Sequence, residues 1–150
     1  MHGIESVRPV REMLSHQLRV LAEEKERIAL AQDGIGSKNT SDFIERYMAM
    51  LQEWIGEHEG EFEGEQEPSP PFVVIGADIQ LLHLGTMKTS WVRLVFPGEE
   101  NPDRGRFSYL SETGRQLLMR LERQYFRISL YGKNEAVVIG GIQFPDSDDP

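Results

Sequence analysis

The chain contains no cysteine among its 150 residues. Disulfides and thiolate metal ligands are therefore excluded, and the composition fits a reducing compartment. No apolar run approaches the length of about 20 residues that a membrane-spanning helix needs, and residues 1–10 carry no apolar core of signal-peptide length. These absences predict a cytoplasmic protein without a membrane segment.

Recognisable catalytic motifs are also missing. The histidines show no metal-ligand spacing; they are His2, His16, His58 and His83. The segment Gly34-Ile35-Gly36 lacks the third glycine and the preceding strand of a phosphate-binding loop, and no serine lies in a nucleophile elbow. The sequence therefore predicts a protein that is not itself an enzyme and has no cofactor of its own.

Acidic residues dominate the first half of the chain. The net charge is −9, and residues 1–70 hold fifteen Asp/Glu against seven Lys/Arg. Residues 88–133 have the opposite balance, with nine basic and five acidic residues. A strongly acidic chain is a poor candidate for autonomous DNA binding, which depends on neutralising phosphates. The charge pattern favours a protein partner.

Two helical stripes occupy residues 1–60. Val7, Leu14, Leu21 and Ile28 fall seven residues apart and predict a helix over residues 7–32. The glycine-containing segment 33–37 breaks this pattern, and a second stripe predicts a helix that begins near Asp42. Two stripes of similar length joined by a short polar turn predict an antiparallel helical hairpin, or coiled coil. Its seam is imperfect, because Gln17 and Glu24 stand where apolar residues are expected.

The pattern changes twice after the hairpin. Residues 61–71 alternate glutamate with glycine and end in prolines, which predicts an extended, solvated linker. Residues 72–145 then show a period of two, which predicts a small α+β domain with one short helix capped by Ser111. The predicted strands are residues 72–75, 79–84, 90–96, 107–110, 125–130 and 136–139. A turn is predicted at residues 132–134 and a bulge at Gly140-Gly141, and the acidic tail 146–150 is predicted to be disordered.

Residues 75–144 resemble the carboxy-terminal domain of the Gre transcription elongation factors. The segment Ile75-Gly76-Ala77-Asp78-Ile79-Gln80-Leu81-Leu82 is similar to that domain's opening strand. Phe96-Pro97-Gly98-Glu99-Glu100 and Pro102-Asp103-Arg104-Gly105-Arg106-Phe107-Ser108 follow at the family's spacing. Ser111-Glu112-Thr113-Gly114-Arg115-Gln116-Leu117-Leu118 resembles its Ser-Pro-x-Gly-x-Ala-Leu-Leu helix start. The resemblance implies an FKBP-like α+β fold that docks on bacterial RNA polymerase at its secondary channel.

The resemblance also implies a role for the hairpin. In the Gre family a coiled coil enters the channel, reaches the 3′ end of backtracked RNA and presents two acids within a Gly-Asp-x-x-Glu-Asn-Ala pattern. Those acids help the polymerase to hold a second Mg²⁺ ion for hydrolysis of the RNA. A chain of this kind stimulates cleavage that the polymerase itself catalyses.

Two interpretations of the hairpin tip compete. In the first, Asp42 and Glu45 are the acid pair and the shared Mg²⁺ ligands, because their spacing of three residues matches the motif. In the second, Gly34 and Asn39 match the motif, and Ile35 and Lys38 replace both acids. Asp42 and Glu45 also fit a capping box at a helix start. The leading hypothesis is therefore a cleavage-stimulating elongation factor, and the alternative is a non-cleaving regulator of the same architecture.

The predicted polymerase-docking residues are Leu110, Ser111 and Glu112. The family's docking turn has an acid or asparagine before the serine and a proline after it, whereas here Leu110 and Glu112 flank Ser111. Ser111 also fits the role of a helix cap. The altered flanks predict a divergent member of the family.

Overall fold

The structure is a computed structural model that describes residues 10–31, 35–63 and 68–144. The chain divides between Ser69 and Pro70 into two compact units. Within the described ranges, no helix is long and apolar enough to span a membrane. The predicted fold class, a helical hairpin followed by a small α+β domain, is confirmed. The predicted disordered tail lies outside the described residues.

The first unit is built from helix α1, Val10–Ala31, and helix α2, Ile35–Glu57. The helices are antiparallel, because the Lys25 Nζ–Glu45 Oε2 ion pair of 2.6 Å links the end of α1 to the first half of α2. An apolar stripe from each helix closes the seam between them. Its buried members are Leu14, Gln17, Leu21, Phe43, Ile44, Tyr47, Leu51, Trp54 and Ile55.

The second helix begins seven residues earlier than predicted. It begins at Ile35, so Asp42 lies in the helix interior and the prediction of a capping box at Asp42 and Glu45 is wrong. A glycine inside a helix costs only about 1 kcal/mol relative to alanine, and Gly36 lies in the first turn. The buried Phe43 and Ile44 and the Lys38–Asp42 ion pair offset that cost.

Part of the predicted extended linker is helical. Residues Glu59–Glu63 form a short 3₁₀ helix directly after α2. The Phe62 ring packs edge-on against Trp54, with ring centroids 5.7 Å apart. The apolar surface that Phe62 buries on Trp54 offsets the repulsion among the glutamates. The sequence pattern alone did not reveal this contact.

The second unit contains a five-stranded mixed sheet. Its strands are β1 (Asp78–His83), β2 (Lys88–Val95), β3 (Arg106–Ser108), β4 (Tyr125–Leu130) and β5 (Lys133–Gln143). Helix α3 (Glu112–Leu117) lies between β3 and β4 in the chain. The order across the sheet is β3-β2-β1-β5-β4. All neighbouring pairs are antiparallel except β2 with β3.

One predicted strand is absent. Residues 72–75 are buried but form no named strand. Their backbone instead pairs with the segment after α3, where Val73 N donates to Arg120 O at 2.8 Å and Met119 N donates to Val73 O at 2.9 Å. A continuous apolar run indicates burial on both sides, and it does not by itself specify a strand.

The hairpin between β4 and β5 turns one residue earlier than predicted. Tyr131 and Gly132 form the turn with φ angles of 51° and 79°, and two positive values are typical of a type I′ turn. Lys133 already belongs to β5. The bulge predicted at Gly140-Gly141 is present, because Gln80 pairs with Gly141 and Leu81 with Ile139, which leaves Gly140 without a partner in the ladder.

Candidate functional site

The three predicted docking residues lie at the start of α3. Ser111 is the N-cap of α3, and its Oγ accepts a hydrogen bond from Gly114 N at 3.0 Å. The same hydroxyl donates to Ser108 O at 2.7 Å. Ser111 therefore binds the helix start on one side and the end of β3 on the other.

Gly114 lets the helix approach β3 closely. A Cβ atom at this position would overlap the carbonyl oxygen of Ser108 and would lie 2.9 Å from Tyr109 Cα. Only glycine lacks this atom, so the contact excludes every other residue unless the backbone moves. The Ser-x-x-Gly spacing of Ser111 and Gly114 thus has a direct structural cause.

The residues beside Ser111 are partly or fully accessible at this fixed turn. Leu110 is half-buried and Glu112 is exposed. Arg115 Nε donates to Leu110 O at 2.9 Å, and Ser129 Oγ donates to Glu112 Oε2 at 3.3 Å. An apolar and an acidic side chain are therefore presented together on a rigid scaffold, which suits recognition by a protein surface. We call Leu110, Ser111 and Glu112 the docking turn.

Asp42 and Glu45 lie on α2 away from its start. At 1.5 Å rise per residue, they are about 10 and 15 Å along the helix from Ile35. Asp42 Oδ2 is 3.2 Å from Lys38 Nζ, and Glu45 Oε2 is 2.6 Å from Lys25 Nζ. Each carboxylate is thus already paired with an ammonium group, which competes with a metal ion for the same oxygen. Both carboxylates are more than half exposed, and their role as ligands of a shared Mg²⁺ ion stays a prediction.

The second interpretation places its motif at the start of α2. Ile35 is the first residue of the helix, and Lys38 and Asn39 are exposed in its opening turns. Gly34 lies outside the described residues. Lys38 therefore stands near the start of α2, at the position where the second interpretation aligns one of the motif's two acids.

No larger metal centre is found in the parts of the chain that the structure describes: no group of three or more His, Asp or Glu side chains there could hold an ion. Among the described histidines, His83 has hydrogen-bonding contacts from both ring nitrogens. Its Nδ1 lies 3.0 Å from Glu135 Oε1 and its Nε2 lies 2.7 Å from Ser90 Oγ. This row links β5, β1 and β2 and was not predicted, because Glu135 lies 52 positions from His83 in sequence.

A second unpredicted contact lies in the hairpin seam. Gln17 is buried, and Tyr47 Oη donates to its Oε1 at 2.9 Å. The sequence pattern marked Gln17 as a defect because it shows no partner thirty residues away. The structure shows that the glutamine and the tyrosine form a buried polar pair.

Among the residues that the structure describes, the pKa values of Arg11, Glu59 and Arg120 are shifted. The hydrogen bond from Arg11 lowers the pKa of the Glu59 carboxyl, and the same hydrogen bond raises the pKa of Arg11. Glu59 therefore stabilises the fold above the pKa of its unfolded state, and this contribution is lost as the pH falls through the folded-state value. Because both groups are exposed, we expect the contribution to be small.

Burial lowers the pKa of Arg120, whose guanidinium lies 4.1 Å from the Phe126 ring centroid.

Comparison with protein-family models and with curated protein sequences found no match. Comparison with solved structures found similar chains. One is the GreA factor homolog 1 (Gfh1) protein of Thermus thermophilus, with 17% identity, a TM-score of 0.47 and coverage of 91% of this chain and 96% of that chain. Thermus aquaticus Gfh1 has 17% identity, a TM-score of 0.43 and coverage of 90% and 94%. The transcription elongation factor GreA/GreB from Nitrosomonas europaea has 18% identity, a TM-score of 0.44 and coverage of 59% and 78%. By name these are Gre-type transcription factors, the family that the sequence motifs resemble.

Proposed function

We propose that this chain is a Gre-like transcription factor that binds bacterial RNA polymerase at its secondary channel through the docking turn. The observation that carries the proposal is the fixed Ser111 turn, in which the family-like serine and glycine each have a defined structural task. The turn presents Leu110 and Glu112 as a small apolar and acidic contact. The order of the motifs over residues 75–144 supports the same assignment.

If the docking turn contacts RNA polymerase, substitutions in the turn should weaken polymerase binding. We expect the double variant Leu110→Ala/Glu112→Lys to bind core RNA polymerase at least about tenfold more weakly than the unchanged full-length chain, because it removes the apolar contact and reverses the charge. Binding is measured by titrating labelled protein with core polymerase. Because Glu112 is exposed and Leu110 is only half-buried, we expect the variant to stay folded, which its thermal unfolding curve checks.

Leu121 and Glu122 supply a matched control. They are likewise an apolar residue next to an acid; Leu121 is more exposed than Leu110, and both residues lie outside the docking turn. The variant Leu121→Ala/Glu122→Lys makes the same changes and should bind polymerase normally. Equal losses in the two double variants, or no loss in either, would contradict the assignment of the docking turn.

We further propose that the bound protein regulates polymerase without supplying acids for transcript cleavage. Support comes from the position of Asp42 and Glu45 inside α2 and from their pairing with Lys38 and Lys25. Lys38 stands near the helix junction, where its positive charge is unfavourable for binding a second cation. A hairpin of this kind occupies the channel and restricts access to it.

Cleavage of backtracked RNA tests this part of the proposal. We expect the full-length chain to give no stimulation of cleavage, and we expect Asp42→Asn/Glu45→Gln to behave in the same way. The matched control is Glu23→Gln/Glu26→Gln, which neutralises two exposed acids of α1 at the same spacing. Stimulation by the unchanged chain that is lost only in the Asp42/Glu45 variant would show that these acids do help to hold Mg²⁺, as the leading sequence hypothesis predicts.

A further inference from the structure

The sheet of the second unit has one buried face and one accessible face. Side chains alternate between the two faces along each strand. The buried face carries Ile79, Leu81, Val92, Phe126, Ile128, Val137 and Ile139. The residues between them in sequence, such as Leu82 and Val138, are accessible to solvent. An antiparallel sheet with one solvated face usually presents polar side chains there.

Apolar side chains occupy the middle of this accessible face. Leu82 of β1 is paired with Val138 of β5, and Val138 is paired in turn with Tyr125 of β4. Trp91 of β2 is paired with Gln80, two residues before Leu82. Directly opposed residues share a face of the sheet, and diagonal neighbours lie within reach of an aromatic side chain. We call Leu82, Trp91, Tyr125 and Val138 the sheet patch; it crosses four strands.

The two aromatic members of the sheet patch are strongly exposed. Trp91 is 46% exposed and Tyr125 is 58% exposed, while Leu82 and Val138 are half-buried. Because an aromatic side chain has roughly 150–250 Å² of surface, these two rings alone leave about 200 Å² open to water. Contiguous apolar patches of a few hundred Å² are typical of protein-binding surfaces. The sheet patch therefore has the character of a contact surface.

The area of the sheet patch limits what can cover it. A stable interface buries about 800 Å² on each partner, and the patch supplies only a fraction of that area. A second copy of the chain that docked on this patch alone would not be held stably. The patch is suited to one part of a larger interface, with a partner that also contacts the second unit elsewhere.

Strand β4 connects the sheet patch to the docking turn. Tyr125 and Ser129 are four residues apart and on the same face of β4, which separates them by about 13 Å. Ser129 Oγ donates to Glu112 Oε2 at 3.3 Å, and Ser129 N donates to Gln116 Oε1 at 2.6 Å. The strand that carries Tyr125 is thus bonded directly to the start of α3. One partner that covers the docking turn can reach the sheet patch along β4.

We propose that the sheet patch is a second contact surface for RNA polymerase, covered by an apolar region of the polymerase next to the site of the docking turn. The inference rests on the proposed polymerase binding and extends it. Tryptophan and tyrosine are enriched among the residues that dominate binding energy. Trp91 and Tyr125 therefore supply much of the affinity, and the docking turn sets the position of the domain on the polymerase.

Titration of full-length chain with core RNA polymerase tests the sheet patch. We expect Trp91→Thr and Tyr125→Thr each to weaken binding about fivefold or more. Threonine is common in strands, so the sheet should stay folded, which thermal unfolding checks. Met87→Gln is the control, because Met87 is 67% exposed in the turn between β1 and β2 and lies outside the sheet patch. It should leave polymerase binding within about twofold of the unchanged chain.

Hydroxyl-radical footprinting provides a second measurement that needs no substitution. Exposed aromatic and thioether side chains are oxidised in the free chain, and an interface that excludes water protects them. We expect polymerase to slow the oxidation of Trp91 and Tyr125 about fivefold or more. The oxidation of Met87 should keep its rate. Because the unchanged chain is used, a variant that fails to fold does not decide the outcome.

The pattern of losses separates the sheet patch from the docking turn. If only Leu110→Ala/Glu112→Lys loses binding, and Trp91 and Tyr125 stay unprotected, the sheet patch is wrong and the docking turn stands. If only the patch variants lose binding, the sheet patch is supported and the docking turn is contradicted. A chain that does not bind polymerase at all contradicts both. Sedimentation tests the other occupant: a homodimer that Trp91→Thr dissociates would assign the patch to self-association and overturn the proposal.

Discussion

Replacing Gly114 by alanine is expected to lower the free energy of unfolding of the second unit by about 2–4 kcal/mol. The added Cβ would overlap the Ser108 carbonyl oxygen and would lie 2.9 Å from the Ser108 carbonyl carbon and from Tyr109 Cα. All three atoms belong to the backbone of β3 and its continuation, so no side-chain rotation can relieve the overlap. The helix must move away from the strand. Urea unfolding of the full-length chain, followed through amide exchange of the sheet, measures the change.

Gly85 provides the control for this substitution. A Cβ at Gly85 would meet no atom within 4 Å, so Gly85→Ala should change the unfolding free energy by less than about 0.5 kcal/mol. Moving α3 should also break the hydrogen bond from Gly114 N to Ser111 Oγ and weaken polymerase binding. A Gly114→Ala variant as stable as Gly85→Ala would mean that the helix start tolerates displacement. That result would contradict the inference that the docking turn is rigid.

Elements with a simple period were predicted closely from the sequence. The strand at residues 125–130 alternates apolar and polar residues, and β4 spans those residues. The bulge at Gly140 was also predicted, because glycine inside a strand pattern is typical of a bulge. The prediction of a strand at residues 72–75 was wrong, because a continuous apolar run indicates burial without specifying the backbone conformation. A prediction from local pattern therefore succeeded where the pattern has a period and was wrong where it has none.

The start of α2 shows why the position of Asp42 and Glu45 in the hairpin was harder to predict. The glycine-containing segment 33–37 suggested a long turn, whereas the helix includes Gly36 and begins at Ile35. Packing of the hairpin seam overrides local propensity here. Once the helix begins earlier, Asp42 and Glu45 move away from the junction and meet Lys38 and Lys25. A sequence pattern contains no information on the second of these pairings, since Lys25 belongs to the other helix.

The docking turn was partly predictable. The capping role of Ser111 follows from its residue type and from the helical stripe that follows it. The reason for Gly114 does not, because the close contact is with Ser108, a residue of another element. The row that joins Arg93, Asp78 and Gln143 across the sheet was not predicted for the same reason: the register brings together residues that the sequence separates by up to 65 positions, from Asp78 to Gln143.

Removing the tyrosine hydroxyl from the hairpin seam is expected to destabilise the first unit. In Tyr47→Phe, the buried Oε1 of Gln17 loses the donor that lies 2.9 Å away, which should lower the unfolding free energy by about 1–3 kcal/mol. Thermal unfolding of the full-length chain, followed by helical circular dichroism, measures the loss. Tyr131→Phe is the control, because Tyr131 Oη also donates a hydrogen bond, to Pro102 O at 2.8 Å, but its side chain is exposed. The control should change stability by less than about 0.5 kcal/mol.

A double substitution separates hydrogen bonding from packing in the same seam. Gln17→Leu/Tyr47→Phe removes both polar partners and keeps comparable volume, so it should recover most of the stability lost in Tyr47→Phe. If the double variant is as unstable as the single one, the loss arises from packing and the hydrogen bond contributes little. Recovery would show that the polar pair is not needed for stability. The pair would then serve helix alignment, because a buried polar contact at one level of a coiled coil disfavours shifted registers, and alignment sets where on the hairpin Lys25 meets Glu45.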